Sequence, residues 1–252
     1  MNTLLVDIGN SRLKWSLSTD GRRTTIDVFS YREADVSATL ERNWGHILPP
    51  DQVVIVSVAP CQVNSDITAW IKQQWSITPH SVRSEDPYPG LTCGYDRPEQ
   101  LGVDRWIAVI AGYHRYKSPV AVVDCGTAVT IDLVDGDGNH HGGWILPGLS
   151  MSVGCLRDKT AIPAFDDIQP TTQAGRSTAA AIANGCILTI IGAIEKISND
   201  LAGQPAFAGI RWVITGGDAD RLSAVMPVEF ERVDELIMDG LQLLADEMVE
   251  GK

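Results

Sequence analysis

A chain of 252 residues suits one large domain or two of ordinary size, and 44% hydrophobic with 21% charged residues is ordinary globular composition. The net charge of −12 argues against a nucleic-acid binder, which needs a basic footprint, although a few backbone N–H groups and one metal ion can still hold an anionic nucleotide. Five scattered cysteines without a C-x-x-C pair argue against a disulfide framework or a structural zinc site, so reduced thiols in the cytosol are expected.

The N-terminus opens on a strand, 3–8, with no basic n-region and no cleavage signal, as expected of a cytoplasmic protein. A tight turn at Gly9-Asn10, two residues that tolerate positive φ, leads into strand 12–18. A third strand falls near 24–29. Helix 33–44, strand 53–58, helix 64–75 and a strand near 77–82 follow. A loop from Ser84 to Pro98 leads to helix 103–116, in which Val103, Trp106, Ile107, Ile110 and Tyr113 recur at helical spacing.

After Pro119 the pattern restarts. Strands 120–124 and 128–134, a turn at 135–138 and a strand through 144–146 repeat the opening triplet. Helices 149–158 and 177–200, strand 211–215, a short helix and a closing helix 235–249 complete the chain. This duplicated order predicts an α/β protein of two similar domains, 1–118 and 119–252, facing each other across a cleft. Ser177 to Ile194 is uncharged, but Asn184, two glycines and several alanines and threonines leave it short of a membrane span. A helix buried in the protein or in a subunit contact is expected.

Two turns carry the chemistry: Asp7-Ile-Gly-Asn-Ser11 and Asp124-Cys-Gly-Thr127. Each follows a β-branched apolar run and combines a carboxylate with a glycine. Glycine lets the backbone approach closely, so that successive N–H groups converge on phosphate oxygen. Asp7, at a strand end, can hold Mg²⁺ through water. Thr215-Gly-Gly-Asp218 follows another apolar strand, where a nucleotide's base and ribose can lie against bare backbone. Other signals fail. Ser11-Arg-Leu-Lys14 lies on a hairpin strand rather than at a helix start. Asp135-Gly-Asp-Gly-Asn139 lacks the later ligands of a calcium loop and reads as a turn. His140-His141 reads as the start of a polar strand, and no histidine is placed to activate Cys125. Walker and G-x-G-x-x-G loops are absent from the sequence.

Asp104-Arg105 stands at a helix start. Alone, it reads as an acid complementing the helix dipole and a solvated arginine. The preceding loop, with Tyr95, Pro98 and Gly102, is longer and more shaped than a connection requires. Asp104 is therefore a candidate to act on whatever receives the phosphate.

These motifs resemble the type III pantothenate kinases, of the acetate kinase, sugar kinase, Hsp70 and actin superfamily. The resemblance rests on Asp7-x-Gly-Asn-Ser with Lys14-Trp15, on Tyr95-x-x-Pro-x-x-Leu-Gly-x-Asp-Arg105 and on Asp124-x-Gly-Thr-Ala128. Gly142-Gly-x-Ile-x-Pro-Gly148, Gly175-Arg-Ser-Thr178 and Thr215-Gly-Gly217 complete it. It implies two ribonuclease H-like (actin-like ATPase) domains and ATP-dependent phosphorylation of pantothenate, the first step towards coenzyme A. It implies that Asp7, Ile8, Gly9, Asn10, Ser11, Arg12, Leu13, Lys14 and Thr127 bind ATP. Tyr95, Gly102, Val103, Asp104, Arg105 and Thr178 would contact pantothenate, with Asp104 as proton acceptor. Asp124 would hold K⁺ or NH₄⁺, Mg²⁺ would accompany ATP, and the protein would be a homodimer free of nucleic acid and membrane. The alternatives are a non-enzymatic regulator on the same fold, or another small-molecule kinase of the superfamily.

Overall fold

The computed structural model describes residues 1–9, 12–31, 35–159, 169 and 171–250, with Glu250 in its backbone alone. Asn10, Ser11 and the first residues of the helix expected from 33 lie outside them. In chain order the strands are β1 (Asn2–Ile8), β2 (Arg12–Thr19), β3 (Arg22–Arg23), β4 (Asp27–Ser30), β5 (Gln52–Ser57), β6 (His80–Ser81), β7 (Val120–Cys125), β8 (Ala128–Val134), β9 (His140–Pro147), β10 (Arg211–Thr215) and β11 (Glu231–Arg232). The helices are α1 (Val36–Trp44), α2 (Cys61–Trp75), α3 (Val103–Tyr116), α4 (Leu149–Lys159), α5 (Thr178–Leu201), α6 (Ala219–Ser223) and α7 (Leu236–Glu250).

One sheet runs β3-β2-β1-β5-β6, with β4 also on β2, and the other runs β11-β10-β7-β8-β9. In the first, β1 is antiparallel to β2 and parallel to β5, which is parallel to β6. In the second, β7 is antiparallel to β8 and parallel to β10, which is parallel to β11. The same strand order with the same senses occurs twice, which is the duplicated ribonuclease H-like architecture. Central strands buried on two faces read as continuous apolar runs, and Leu4-Leu-Val6 and Val120-Ala-Val-Val123 are such runs.

By compactness the chain divides into two units. The first holds Met1–Tyr88, Asp96–Ala111 and Ile237–Lys252; the second holds Pro89–Tyr95 and Gly112–Leu236. The core of the first unit packs β1, β2 and β5 against Leu40, Trp44, Ile67, Trp70 and Ile71. Trp44 is its centre, with ring centroids 6.1 Å from Trp15, 6.1 Å from Phe29, 5.9 Å from Trp70 and 6.0 Å from Trp75. In the same unit α7 crosses α3 at Gly240, where a Cβ would fall 2.5 Å from the Ile107 carbonyl oxygen. That contact fixes the N-terminal half of α3.

In the second unit one face of α5, including Cys186, Ile187, Ile190, Ile191 and Ile194, packs on Val129, Ile131, Trp212 and Ile214. By length and composition α5 is apolar enough to cross a membrane, with mean hydropathy 1.6, but this face belongs to the core. The opposite face, with Leu188 51% exposed, does not.

Several expected boundaries shift, and the strand expected near 77–82 narrows to the two residues of β6. The helix expected from 64 starts at Cys61, directly after Pro60, because proline fixes φ where a helix begins. The third strand divides into β3 and β4. The helix expected from 33 has Asp35 as its N-cap, whose side chain accepts from the Ala38 N–H at 3.2 Å.

Candidate functional site

Asp7 and Asp124 occupy matching positions, each the penultimate residue of the central strand of its sheet. Asp7 is paired with Lys14 on β2 and Val56 on β5. Asp124 is paired with Thr130 on β8 and Thr215 on β10. Their side chains are half-buried at the strand ends. The strand ladder thus delivers one carboxylate to the same corner of each repeat.

In the first unit the Gly9 N–H donates to the Arg12 carbonyl at 3.0 Å and closes the β1–β2 hairpin. Ile8 and Leu13 are buried in the core, whereas Arg12 is exposed and Lys14 half-buried. The side chains of Ile8 and Leu13 therefore anchor the turn, and a ligand there would meet the backbone. The buried Tyr31 hydroxyl donates to the Gly9 carbonyl and pins the turn from below. Sequence reasoning missed Tyr31, because nothing local connects it to a turn 22 residues away.

Gly102, Val103, Asp104 and Arg105 form the entry to α3 in the same unit. The Gly102 carbonyl accepts from Trp106 N–H at 3.0 Å, and Asp104 Oδ1 accepts from the Arg105 N–H at 2.8 Å. A Cβ on Gly102 would fall 2.7 Å from Asp104 Oδ1, so the bare glycine leaves this carboxylate its place. Arg105 is 5% exposed, which corrects the solvated arginine of the simplest reading. Burying a guanidinium is costly unless it is paired and hydrogen-bonded, and more than a helix start needs.

In the second unit Asp124 and Thr127 share the β7–β8 hairpin. Gly126 N–H donates to the Ala128 carbonyl at 3.0 Å, and Gly148 N–H to the Thr127 carbonyl at 3.0 Å. The Thr127 side chain is exposed. Gly216 passes over the end of β7 with φ +94°, a conformation that disfavours any side chain. A Cβ there would lie 2.4 Å from Asp124 Oδ1 and 2.5 Å from the Cys125 carbonyl oxygen. The bare glycine therefore leaves the Asp124 carboxylate and the Cys125 carbonyl their places at the end of β7. Burial, with Asp124 and Asp218 nearby, pushes the Cys125 thiol up, so it is no nucleophile.

Tyr95 belongs to the second unit, half-buried, with its ring stacked on His140. His140 opens β9, as expected of a strand start after the turn, but is buried, because strand alternation turns it inward and His141 outward. Thr178 is the exposed first residue of α5, and the Ser177 hydroxyl caps that helix by accepting from Ala180 N–H at 3.2 Å. Asn184 ties the preceding segment down, accepting from Thr171 N–H at 2.9 Å and donating to the Gln173 carbonyl at 2.8 Å. No cluster of three or more His, Cys, Asp or Glu side chains suited to a metal occurs among the described residues. The available sites are single carboxylates at turns, which suit a cation bound mostly by phosphate and water.

Two repeats of one sheet, each ending its central strand in a carboxylate beside a glycine turn, give the chain the actin-like ATPase and sugar kinase fold. Residues 3–200 match the family described as type III pantothenate kinase. A type III pantothenate kinase from Nitrosococcus oceani is 33% identical over 253 residues, covering 96% of this chain and 93% of that protein. The chain belongs to the type III pantothenate kinase family.

Among solved structures, a Campylobacter jejuni protein assigned to the Baf family of transcriptional activators superposes with TM-score 0.62 at 21% identity, covering 98% of this chain and 99% of that one. The activator of 2-hydroxyisocaproyl-CoA dehydratase from Clostridium difficile, with bound ADPNP, superposes with TM-score 0.56 at 13% identity, covering 100% of this chain and 97% of that one. These two likenesses concern the fold.

Proposed function

We propose that this chain transfers the γ-phosphoryl group of ATP to the primary hydroxyl of pantothenate, giving 4′-phosphopantothenate, the first step of coenzyme A biosynthesis. The observation that carries the reading is the Asp104 carboxylate, held at the start of α3 by the Arg105 N–H and given room by Gly102. In the reaction the hydroxyl oxygen attacks the γ-phosphorus in line. The bond from that phosphorus to the β–γ bridging oxygen breaks, ADP leaves, and Asp104 takes the hydroxyl proton. There is little covalent chemistry for the protein to do, so its work is positioning and charge stabilisation.

By residue, the turn from Asp7 to Lys14 and Thr127 bind ATP, with Thr215-Gly-Gly217 beside the nucleoside. Tyr95, Gly102, Val103, Arg105 and Thr178 contact pantothenate. Mg²⁺ would come with ATP near Asp7, and Asp124 with the Cys125 carbonyl would hold K⁺ or NH₄⁺. When bound, these cations would offset the negative charge of the triphosphate. The repeats 1–118 and 119–252 are the units of duplication, each with one βββ triplet and one carboxylate turn.

We further propose a cytoplasmic homodimer that binds neither nucleic acid nor membrane. Its support is the apolar outer surface of the second unit: Trp144, Ile145, Met151, Leu156 and Leu188 are exposed there. Met151, Leu156, Ala181, Ile182 and Gly185 line an adjoining groove of about 650 Å³. Patches of this kind mark interaction surfaces.

The test is ADP release in a coupled assay with and without pantothenate, in Na⁺ and in K⁺ buffer of equal ionic strength. ADP formation that requires pantothenate supports the reading. ADP formation indifferent to pantothenate contradicts it.

A further inference from the structure

The second unit contains a buried polar pair that the transfer reaction does not use. Asp132 on β8 is 2% exposed, and its Oδ1 lies 2.9 Å from Nε2 of His140, which is equally buried. Val129, Ile131 and Leu133 turn to the α5 core, so alternation puts Asp132 on the other face of β8, the face of Thr130. Thr130 is the cross-strand partner of Asp124, and Val122 that of Asp132. A buried carboxylate costs more to desolvate than an apolar residue of similar size, and such pairs often stabilise less than an apolar replacement. Its presence calls for a role other than stability.

That role is visible in what the His140 ring touches. Nδ1 accepts from the Gly94 N–H at 3.5 Å, which leaves Nε2 as the nitrogen that donates to Asp132. The ring is thus held at both nitrogens and cannot rotate in its plane. Tyr95 stacks on it with centroids 6.1 Å apart and planes within 10°, an offset arrangement favourable for aromatic rings. The backbone reinforces the contact. Thr92 N–H donates to the Gly138 carbonyl at 3.0 Å, and His140 N–H to the Thr92 carbonyl at 2.9 Å. A Cβ on Gly94 would fall 1.7 Å from the His140 carbonyl oxygen, so only glycine lets the loop lie this close to β9.

We propose that Asp132 and His140 are positioning residues for pantothenate. They hold the Tyr95 ring, and with it the segment that ends at Tyr95, in the orientation that receives the substrate. The inference rests on the proposed contact of Tyr95 with pantothenate and adds the two residues that set it. Neither touches substrate. Their loss should raise the KM for pantothenate and leave ATP use alone.

The test compares wild type, Asp132→Asn, and the double variant Asp132→Leu/His140→Phe. The double variant keeps a ring under Tyr95 and removes both members of the buried pair together, leaving only the long Gly94 N–H bond unmade, so it should fold with a Tm within a few degrees of wild type, about the effect of one weak hydrogen bond. Its KM for pantothenate should rise about tenfold, with the KM for ATP and kcat within about twofold, as expected when substrate orientation and not chemistry is lost. Asp132→Asn retains an oxygen to accept from His140 and should restore the KM to within about threefold of wild type. Hydrogen exchange at the Gly94 amide is a second readout that needs no substrate. It should quicken about tenfold in the double variant and stay near wild type in Asp132→Asn. An unchanged pantothenate KM in the folded double variant, parallel rises in both KM values, or unchanged exchange at Gly94 would each overturn the proposal. A wild-type protein that fails to use pantothenate would count against the proposed function instead, and the exchange measurement would still decide the role of the pair.

Discussion

Replacing Gly102 with alanine tests the placement of Asp104 without touching Asp104 itself. Gly102 has an ordinary φ, since it is not among the residues with positive φ, so alanine fits the backbone. Its Cβ would start 2.7 Å from Asp104 Oδ1, whereas ordinary contact begins near 3.4 Å, so the carboxylate must move by about 0.7 Å. That movement strains the 2.8 Å bond from the Arg105 N–H, a loss of about 1 kcal/mol. Against it, alanine restricts the unfolded chain and contributes ~0.4–1 kcal/mol of stability. The two terms nearly cancel, and Tm should stay within about 3 °C of wild type. Catalysis is less tolerant, because a misplacement of about 1 Å can cost ~10²-fold. Turnover measured by coupled ADP release should therefore fall ~10- to 100-fold, with the KM for ATP unchanged. Full turnover in a folded variant would refute the reasoning. So would a rise confined to the KM for pantothenate, which would mean that the methyl group blocks substrate and leaves the base in place.

Asp104→Asn should fold and bind both substrates yet lose ~10²–10⁴-fold in kcat, the usual worth of a positioned general base; near-normal turnover of the purified variant would reassign Asp104 to structure. Activity should rise when K⁺ or NH₄⁺ replaces Na⁺, and Asp124→Ala should abolish that response while the turn, shaped by Gly126, stays folded; equal rates in the two buffers would remove Asp124 from cation binding. Asp135 is 6% exposed. Burial pushes its carboxyl up, but hydrogen bonds from His141, Asn139 and the Asp137 and Asn139 N–H groups outweigh burial and hold it at about 2, below the ordinary 3.8. A carboxyl lowered on folding stabilises fully above pH ~4 and loses that contribution as pH falls towards 2, a difference of at most about 2 kcal/mol. Asp135→Asn should lower Tm at pH 7 and flatten the fall in Tm between pH 4 and 2; an unchanged acid limb would discount those hydrogen bonds.

The strands were legible where one physical signal dominates. The apolar runs at β1, β7 and β10 and the 3.6-residue spacing of α3 place those elements within a residue of their positions. Helix α2 was read three residues late because its first turn, Cys61-Gln-Val63, carries no apolar stripe, and only Pro60 marks the start. The two carboxylate turns were legible as motifs, since strand, acid and glycine are contiguous. What surrounds them was not. The Tyr31 bond to Gly9, the burial of Arg105 and the Asp132–His140 pair behind Tyr95 all depend on residues brought together by the fold. Period-two alternation would have turned His140 inward, but its partner Asp132 lies on the neighbouring strand, past the irregular register between Asp132 and Val134.

The central claim is that the γ-phosphoryl group of ATP ends on an alcohol of pantothenate. Phosphorus NMR of a mixture of purified protein, ATP, Mg²⁺, K⁺ and pantothenate observes that transfer directly. The account predicts a phosphomonoester signal that grows in step with the loss of the γ-phosphate and requires Asp104. Growth of inorganic phosphate in its place would make the protein an ATPase, and an unchanged spectrum would make it a non-catalytic member of the fold; either result contradicts the account.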